Sequence, residues 1–266
     1  MFKLILKFIK DKLFKNISNL DNLDSPDTNE SHKKIIQSNY LLKNFYIDCY
    51  QIFKKELIKE GIFNSKILEI GSGSGFIKKI IPNTITSEII DLKDIDLKVD
   101  GTKLPFDNNY LDAIILLNVL HHISDPKTFL VECERVLKKK GIILLIEPAN
   151  TFFSRIIYKN FHHEEFNEFS NWYLKKGGRL TVANQAIPYI IFERDLKIFN
   201  NFFTNLSLVK IFKFKPLHYL LSGGLSYEPR INNNFLLLLI KFFEKILTPI
   251  NNFIGLFMFI KIKKKK

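Results

Sequence analysis

The sequence predicts an α/β protein with an open, doubly wound, mostly parallel sheet. Three observations carry this. From about Lys66 onward, strand-like and helix-like runs alternate. Two strand-like runs, LDAIILL (111–117) and GIILLIE (141–147), are apolar almost throughout, as parallel strands buried on both faces require. A glycine loop, Gly71-Ser-Gly73-Ser-Gly75, lies between the first strand and the run that follows it.

KILEI (66–70) is the first strand and stops at Gly71. FIKKII (76–81) follows as a short helix ended by Pro82. TITSEI (84–89) and DLKV (96–99) are the next strands, and LDAIILL is the fourth. A helix then runs from Pro126 to about Lys139. Asp125 caps it, Pro126 suits its first position, Lys138 to Lys140 complement its C-terminal dipole and Gly141 closes it. GIILLIE is the fifth strand, Phe192 to Phe203 the next core helix, and LSLVKIFKF (206–214) a returning strand that completes the sheet. Residues 20–31, LDNLDSPDTNES, read as a polar, turn-rich linker. The expected organisation is an N-terminal amphipathic helix and linker (1–39), a catalytic domain (40–225) with a substrate cap at about 151–190, and an apolar, basic, helical C-terminal extension (226–266).

Composition narrows the class. Of 266 residues, 46% are hydrophobic and 25% charged, a globular balance that excludes a disordered chain. Cys49 and Cys133 cannot build a disulfide scaffold or a four-cysteine zinc site. Basic residues outnumber acidic ones 40 to 27, for a net charge of +13. Only Arg135, Arg155, Arg179, Arg194 and Arg230 are arginine, the residue that base readers and phosphate clamps favour. Lys, Asn, Ile and Phe share A/T-rich codons, so no nucleic-acid partner is expected from the charge.

The ends suggest a membrane surface instead. Phe2, Ile5, Leu6, Ile9 and Leu13 recur at helical spacing, with Lys3, Lys7, Lys10 and Lys12 mostly off that stripe. This is either a basic amphipathic helix on anionic lipid or a first helix packed on the core. At the other end, the uncharged stretch Ile246–Ile260 is interrupted by Pro249 and Asn251-Asn252 and falls short of the roughly 20 residues of a membrane span. Lys261 and Lys263 to Lys266 follow it, within reach of anionic head groups. The expectation is a cytoplasmic protein in peripheral contact with the inner face of the membrane.

The glycine loop has three acids in step with it. Glu69 stands two residues before Gly71, Glu88 ends the second strand, and Asp100 follows the third, ahead of Gly101-Thr102. Glycines allow a tight turn and let a ligand lie against the backbone, and a carboxylate at the end of the second strand can accept both ribose hydroxyls. No G-x-x-x-x-G-K-[ST] run is present, and Glu69 would repel a pyrophosphate. A cationic nucleoside fits three carboxylates better, which favours S-adenosylmethionine over NAD.

ILEIGSGSGF, followed by VDGTKLPFDNNYLDAIILLNVLHHISDPKTFLVECERVLKKKGIILLIEP, resembles the class I S-adenosylmethionine-dependent methyltransferases, most closely those called methyltransferase type 11, over about 66–148. The resemblance implies their Rossmann-like fold and their cofactor. It also implies that Gly71, Gly73 and Gly75 cradle the methionine and ribose, with Glu69 near the amino-acid end. Glu88 would hold the ribose hydroxyls, and Asp100 would meet the adenine amino group, with Gly101 and Thr102 alongside. Asn118, Val119 and Leu120 would line the methionine and methyl pocket. The helix after Gly75 is short for the family, so Asp91 is the alternative ribose acid.

Methyl transfer needs alignment, a desolvated pocket and sometimes a base. His121-His122 follows the fourth strand at the carboxyl edge, where a neutral histidine can take a proton from a hydroxyl. Of the two, His122 reads as a pocket wall. His162-His163-Glu164 lies in the expected cap with Tyr158, Trp172 and Arg155 near in sequence, a lining suited to a sugar-like or aromatic acceptor. Asn184, Gln185 and Tyr189 are further polar candidates, and Ser222-Gly223-Gly224 reads as a plain turn. The expected catalytic residues are His121, His162 and His163, with no metal. No [DNS]-P-P-[YFW] run and no Pro-Cys nucleophile marks a nucleic-acid methylase. The expected activity is O-methylation of a small-molecule or membrane- or saccharide-linked acceptor. The alternatives are a degenerate binding module at a membrane surface and an NAD-dependent enzyme.

Overall fold

The computed structural model describes residues 12–16, 25–162, 164–174, 177–178, 180–215 and 217–265. The apolar stripe from Phe2 to Ile9 and the terminal Lys266 lie outside them. Nine strands occur among the described residues: β1 (Phe14–Asn16), β2 (Ile67–Ile70), β3 (Thr84–Glu88), β4 (Leu97–Lys98), β5 (Leu111–Leu117), β6 (Leu137–Pro148), β7 (Leu206–Phe214), β8 (Tyr227–Pro229) and β9 (Phe257–Lys264). β1 and β8 form an antiparallel ribbon, and the other seven form one sheet in the order β4-β3-β2-β5-β6-β9-β7. Every pairing in the large sheet is parallel except those of β9, which runs antiparallel to both β6 and β7. Ala113 to Leu116 of β5 and Ile142 to Ile146 of β6 are fully buried, as their unbroken apolar runs demand.

Helices cover this sheet. The chief ones are α1 (Pro26–Ser38), α2 (Tyr40–Lys59), α3 (Pro126–Val136), α4 (Phe152–Phe161), α5 (Leu196–Phe202), α6 (His218–Ser222) and α7 (Asn234–Leu247). Both cysteines are free and buried in the core, Cys49 on α2 and Cys133 on α3.

Several boundaries depart from the sequence expectation. The polar stretch 20–31 is not linker throughout, because α1 starts inside it. Ser25 accepts a hydrogen bond from the Thr28 amide, Pro26 occupies the first turn and Asp27 complements the dipole. The helix expected over 76–81 is a single 3₁₀ turn, Ile77–Lys79, since Pro82 leaves too few residues after Gly75 for a full helix. α3 ends at Val136, and Lys138 to Lys140 enter β6, where Leu137 pairs with Leu111 and Lys138 binds Asp112. Residues 187–202 form a short turn (Ile187–Tyr189), a π-helical stretch (Ile190–Arg194) and α5 rather than one helix from Phe192 to Phe203.

The largest correction concerns the C-terminus. Residues 226–266 are not a helical appendage, and the boundary at 225 does not hold. After α7 the chain returns as β9 and inserts between β6 and β7, with Phe257 to Ile260 essentially buried. Three of the lysines expected at a lipid surface, Lys261, Lys263 and Lys264, are used inside the fold, while Lys265 is exposed. Lys261 is buried and binds Glu56 (2.8 Å) and Glu60 (2.6 Å), and Lys263 reaches Glu60 (2.7 Å). Lys264 donates to the carbonyls of Glu134 and Leu137. Backbone pairing with two strands outweighs what basic composition suggests.

Candidate cofactor and acceptor site

A cavity of about 1680 Å³ opens along the carboxyl ends of β2, β3 and β5. This exceeds the roughly 300–1,000 Å³ that one small ligand occupies. One end is built on the glycine loop. Gly71 (φ +67°) and Gly73 (φ +47°) adopt the left-handed backbone that glycine permits, and a Cβ on Gly71 would stand 2.6 Å from Val119 Cγ2. A Cβ on Gly75 would collide with the Tyr50 hydroxyl, which also accepts the Phe76 amide (3.3 Å).

α1 clasps this loop from above. Asn29 Nδ2 donates to the Gly73 carbonyl (3.3 Å), and the Ser74 hydroxyl donates to Asn29 O (2.8 Å). Glu69 is buried beneath the loop, and its Oε2 meets no partner. Burial pushes its pKa up to about 7, with the Glu88 charge adding to the effect and a bond from Ser72 opposing it. Glu88 faces the cavity with Oε2 3.5 Å from where a Gly73 Cβ would stand, whereas Asp91 is exposed and outside the lining. Asp100 accepts the amide (2.8 Å) and hydroxyl (2.7 Å) of Thr102, and both line the cavity with Gly101.

The other end is a buried polar cluster organised by Glu147, the last residue but one of β6. One Glu147 oxygen accepts the amides of Val119 (2.9 Å) and Leu120 (2.8 Å), fixing the turn after β5, and the other meets His121 Nδ1 at 2.6 Å. Asn118, at φ +56°, starts that turn with Oδ1 buried and unpartnered. Glu164 closes the cluster from the cap side. Its oxygens lie 3.5 Å from His121 Nε2 and 3.5 Å from His122 Nε2, and Gln185 Nε2 bridges it (2.9 Å) to His162 Nδ1 (2.8 Å).

Burial opposes a charge on His121, but Glu147 and Glu164 outweigh it and hold its pKa up to about 9. Burial, helped by the charge on His121, drives His122 down to about 3. Glu164 is held well below the carboxylate range despite its burial, because the His121 and His122 rings face it. The expectation of a neutral His121 is therefore corrected: His121 carries the charge, and His122 is the neutral imidazole.

The other expected residues divide. Tyr158 and Gln185 line the cavity, as do Gly223 and Gly224 beyond α6. Trp172 is a core residue bound to Asp195 (2.9 Å), and Asn184 holds the cap by bonding Asn167 and Ser170. Arg155 and Tyr189 are not in the lining. His163 and Arg179 fall outside the described residues. Asn29 and Glu147 were not expected at the site. Glu147 closes an apolar strand, and Asn29 lies in what reads as linker, so neither had a motif to mark it. His121, His122 and Glu164 bring ligand-capable atoms within 4.8 Å of one another.

Residues 68–145 match the methyltransferase-domain family. The chain is 29% identical over 114 residues to a demethylmenaquinone methyltransferase from Thermotoga maritima, covering 36% of this chain and 49% of that protein. It is 27% identical over 174 residues to a ubiquinone/menaquinone biosynthesis C-methyltransferase from Psychromonas ingrahamii, covering 55% of this chain and 61% of that one. The chain thus spans about half to three fifths of these curated relatives. A solved S-adenosylmethionine-dependent methyltransferase from Thermotoga maritima, described as a possible histamine N-methyltransferase, shares the fold at a TM-score of 0.50 and 16% identity. That likeness covers 89% of this chain and 99% of that one. A buried carboxylate with one oxygen unpartnered beneath a left-handed glycine cradle, with a second acid at the end of the next strand, fits a cationic nucleoside. Together with the family match, these features identify the chain as carrying a class I S-adenosylmethionine-dependent methyltransferase domain.

Proposed function

We propose that the chain methylates an oxygen of a small-molecule or lipid-linked acceptor. The observation that carries this is one cavity with two chemically distinct ends: a glycine cradle with buried acids, and a histidine–glutamate cluster facing it. S-adenosylmethionine, when bound, supplies a methyl group on a sulfonium. Glu69 would receive the amino group, with Gly71, Gly73 and Gly75 along the methionine and ribose. Glu88 would take the ribose hydroxyls, Asp100 with Gly101 and Thr102 the adenine, and Asn118 to Leu120 the methyl pocket.

His122 is a neutral wall of the pocket, its pKa driven down to about 3 and so too weak a base to hold the acceptor's proton, and the acceptor oxygen would bind ionised beside the charged His121. His121, charged and pinned by Glu147, orients Glu164 and places positive charge where oxyanion character develops. His162 and Gln185 carry the cap residue Glu164 into position and exclude water. No metal is needed for these steps, so dialysis against a chelator is expected to leave turnover unchanged. The names of the curated relatives favour a second reading, methylation of a ring carbon of a quinone-like acceptor.

The test combines calorimetry and label transfer. S-adenosylhomocysteine should bind the wild type and fail to bind Gly73→Arg, whose side chain would reach Glu88; no binding by the wild type overturns the cofactor assignment. Methyl-labelled cofactor should label hydroxylated acceptors at oxygen, with kcat about 10²-fold lower in His121→Ala and cofactor affinity unchanged. Label recovered only on carbon selects the second reading. Cofactor binding without label transfer to any acceptor fraction indicates a binding module instead.

A further inference from the structure

We infer that one face of α7 and of the turn after it, residues 234–254, docks on an anionic lipid surface. The sequence of this stretch, NFLLLLIKFFEKILTPINNFI, is far more apolar than its burial warrants. Leu237, Ile240 and Glu244 turn inward, while Phe235 (71% exposed), Leu238 (58%), Phe242 (60%) and Ile246 (56%) recur at three- and four-residue intervals on the outside. Leu239 and Phe243 widen the stripe, and Phe253, stacked on exposed Phe152 at 5.0 Å, extends it past the helix. A contiguous apolar face of this kind marks a contact surface.

Charge selects the occupant. The stretch holds one carboxylate, Glu244, and it is buried, accepting the His218 amide (2.7 Å) and pairing with Lys215 (3.3 Å). Its remaining charges are Lys241, paired at the flank with Asp48 (3.3 Å), and the exposed Lys245, so the apolar stripe itself carries no acid and the free charge beside it is positive. That is the pattern of a helix lying in the plane of an anionic bilayer. α7 has 14 residues, about 21 Å, against a hydrocarbon core of about 30 Å, and no described helix is long and apolar enough to cross a membrane.

The Arg230 amide donates to Leu13 O (2.9 Å) and Phe14 pairs with Pro229, so the β1–β8 ribbon stands just ahead of the start of α7. Behind the face, Leu237 and Ile240 pack with Leu41, Leu217 and Leu221 around α6. The segment just after α6, from Gly223 to Tyr227, lines the cavity. The docked face therefore stands one element away from the cavity wall. Docking itself does not depend on which atom is methylated.

The experiment is flotation of the full chain with vesicles of phosphatidylglycerol and phosphatidylcholine, and with phosphatidylcholine alone, at low and high salt. The wild type should float with the anionic vesicles and less at high salt, and Leu238→Glu/Phe242→Glu should reduce vesicle binding at least tenfold. Both substituted side chains are exposed, so the melting temperature and the calorimetric affinity for S-adenosylhomocysteine should be preserved, and that control separates failure of docking from failure of the cofactor site. Equal flotation of wild type and variant, or no flotation of the wild type, overturns the inference. So does a wild-type dimer by light scattering that the double substitution dissociates without any vesicle binding, which would make the face a contact between copies.

Discussion

Glu69 is the residue on which the cofactor end turns. Its carboxyl is pushed up to about 7 by burial, so ionising it costs the folded protein stability. The sign follows from the direction of the shift. Below the ordinary carboxylate pKa both folded and unfolded forms are protonated and nothing is lost. As pH rises toward about 7 and beyond, the empty protein loses about 3 kcal/mol relative to a neutral residue. Glu69→Gln should therefore gain stability over wild type between pH 5 and 8 in chemical denaturation, while losing affinity for S-adenosylhomocysteine. His121 runs the other way, contributing stability that is present below pH 6.5 and lost as pH rises through about 9. Glu147→Gln keeps an oxygen for the Val119 and Leu120 amides but removes the charge. In that variant the His121 titration followed by NMR should fall toward the ordinary histidine range.

At the scale of elements, the turn-rich stretch ahead of α2 shows why local chemistry misleads. Ser, Asp, Asn and Pro in succession are both a turn signature and a helix start, and only what the segment packs against decides between them. Here the glycine loop decides, because α1 delivers Asn29 to the Gly73 carbonyl and to Ser74. Asn29→Ala should weaken S-adenosylhomocysteine binding by roughly fivefold to tenfold in calorimetry, the worth of about one hydrogen bond. Ser25→Ala should cost about 1 kcal/mol of stability through the lost cap. Strands β5 and β6 were legible because a two-sided burial leaves no alternative to continuous apolar residues, and β2 and β3 because their short β-rich runs are bounded by Gly71 and Pro82. The helix after Gly75 was drawn too long, and α3 was extended through lysines that belong to β6. Both errors lie where neighbouring backbone, not side-chain periodicity, sets the end of the element.

At the scale of the whole molecule, the sheet is completed by the last residues of the chain. β9 contributes hydrogen bonds to two strands and the buried Lys261–Glu56–Glu60 group. Deleting 255–266 should therefore abolish the cooperative melt, followed by circular dichroism, rather than simply detach a membrane anchor. Lys261→Met should also destabilise, since it removes the buried cation that joins Glu56 and Glu60 and leaves each carboxylate only its more exposed lysine, Lys210 and Lys263. The C-terminal lysines accordingly divide into those that hold the sheet, Lys261, Lys263 and Lys264, and those beside an apolar helix, Lys241 and Lys245.

The sequence alone determined the class of sheet, the glycine loop with Glu69, Glu88 and Asp100, and the cofactor those acids suit. Such features rest on contiguous residues, where spacing and residue type suffice. Only the tertiary structure decided that Glu147 pins His121, that Glu164, bridged to His162 by Gln185, meets it from the cap, and that the basic tail is an inner strand. These join residues separated by tens to hundreds of positions, and burial, pairing and local charge act on them only after the chain has closed.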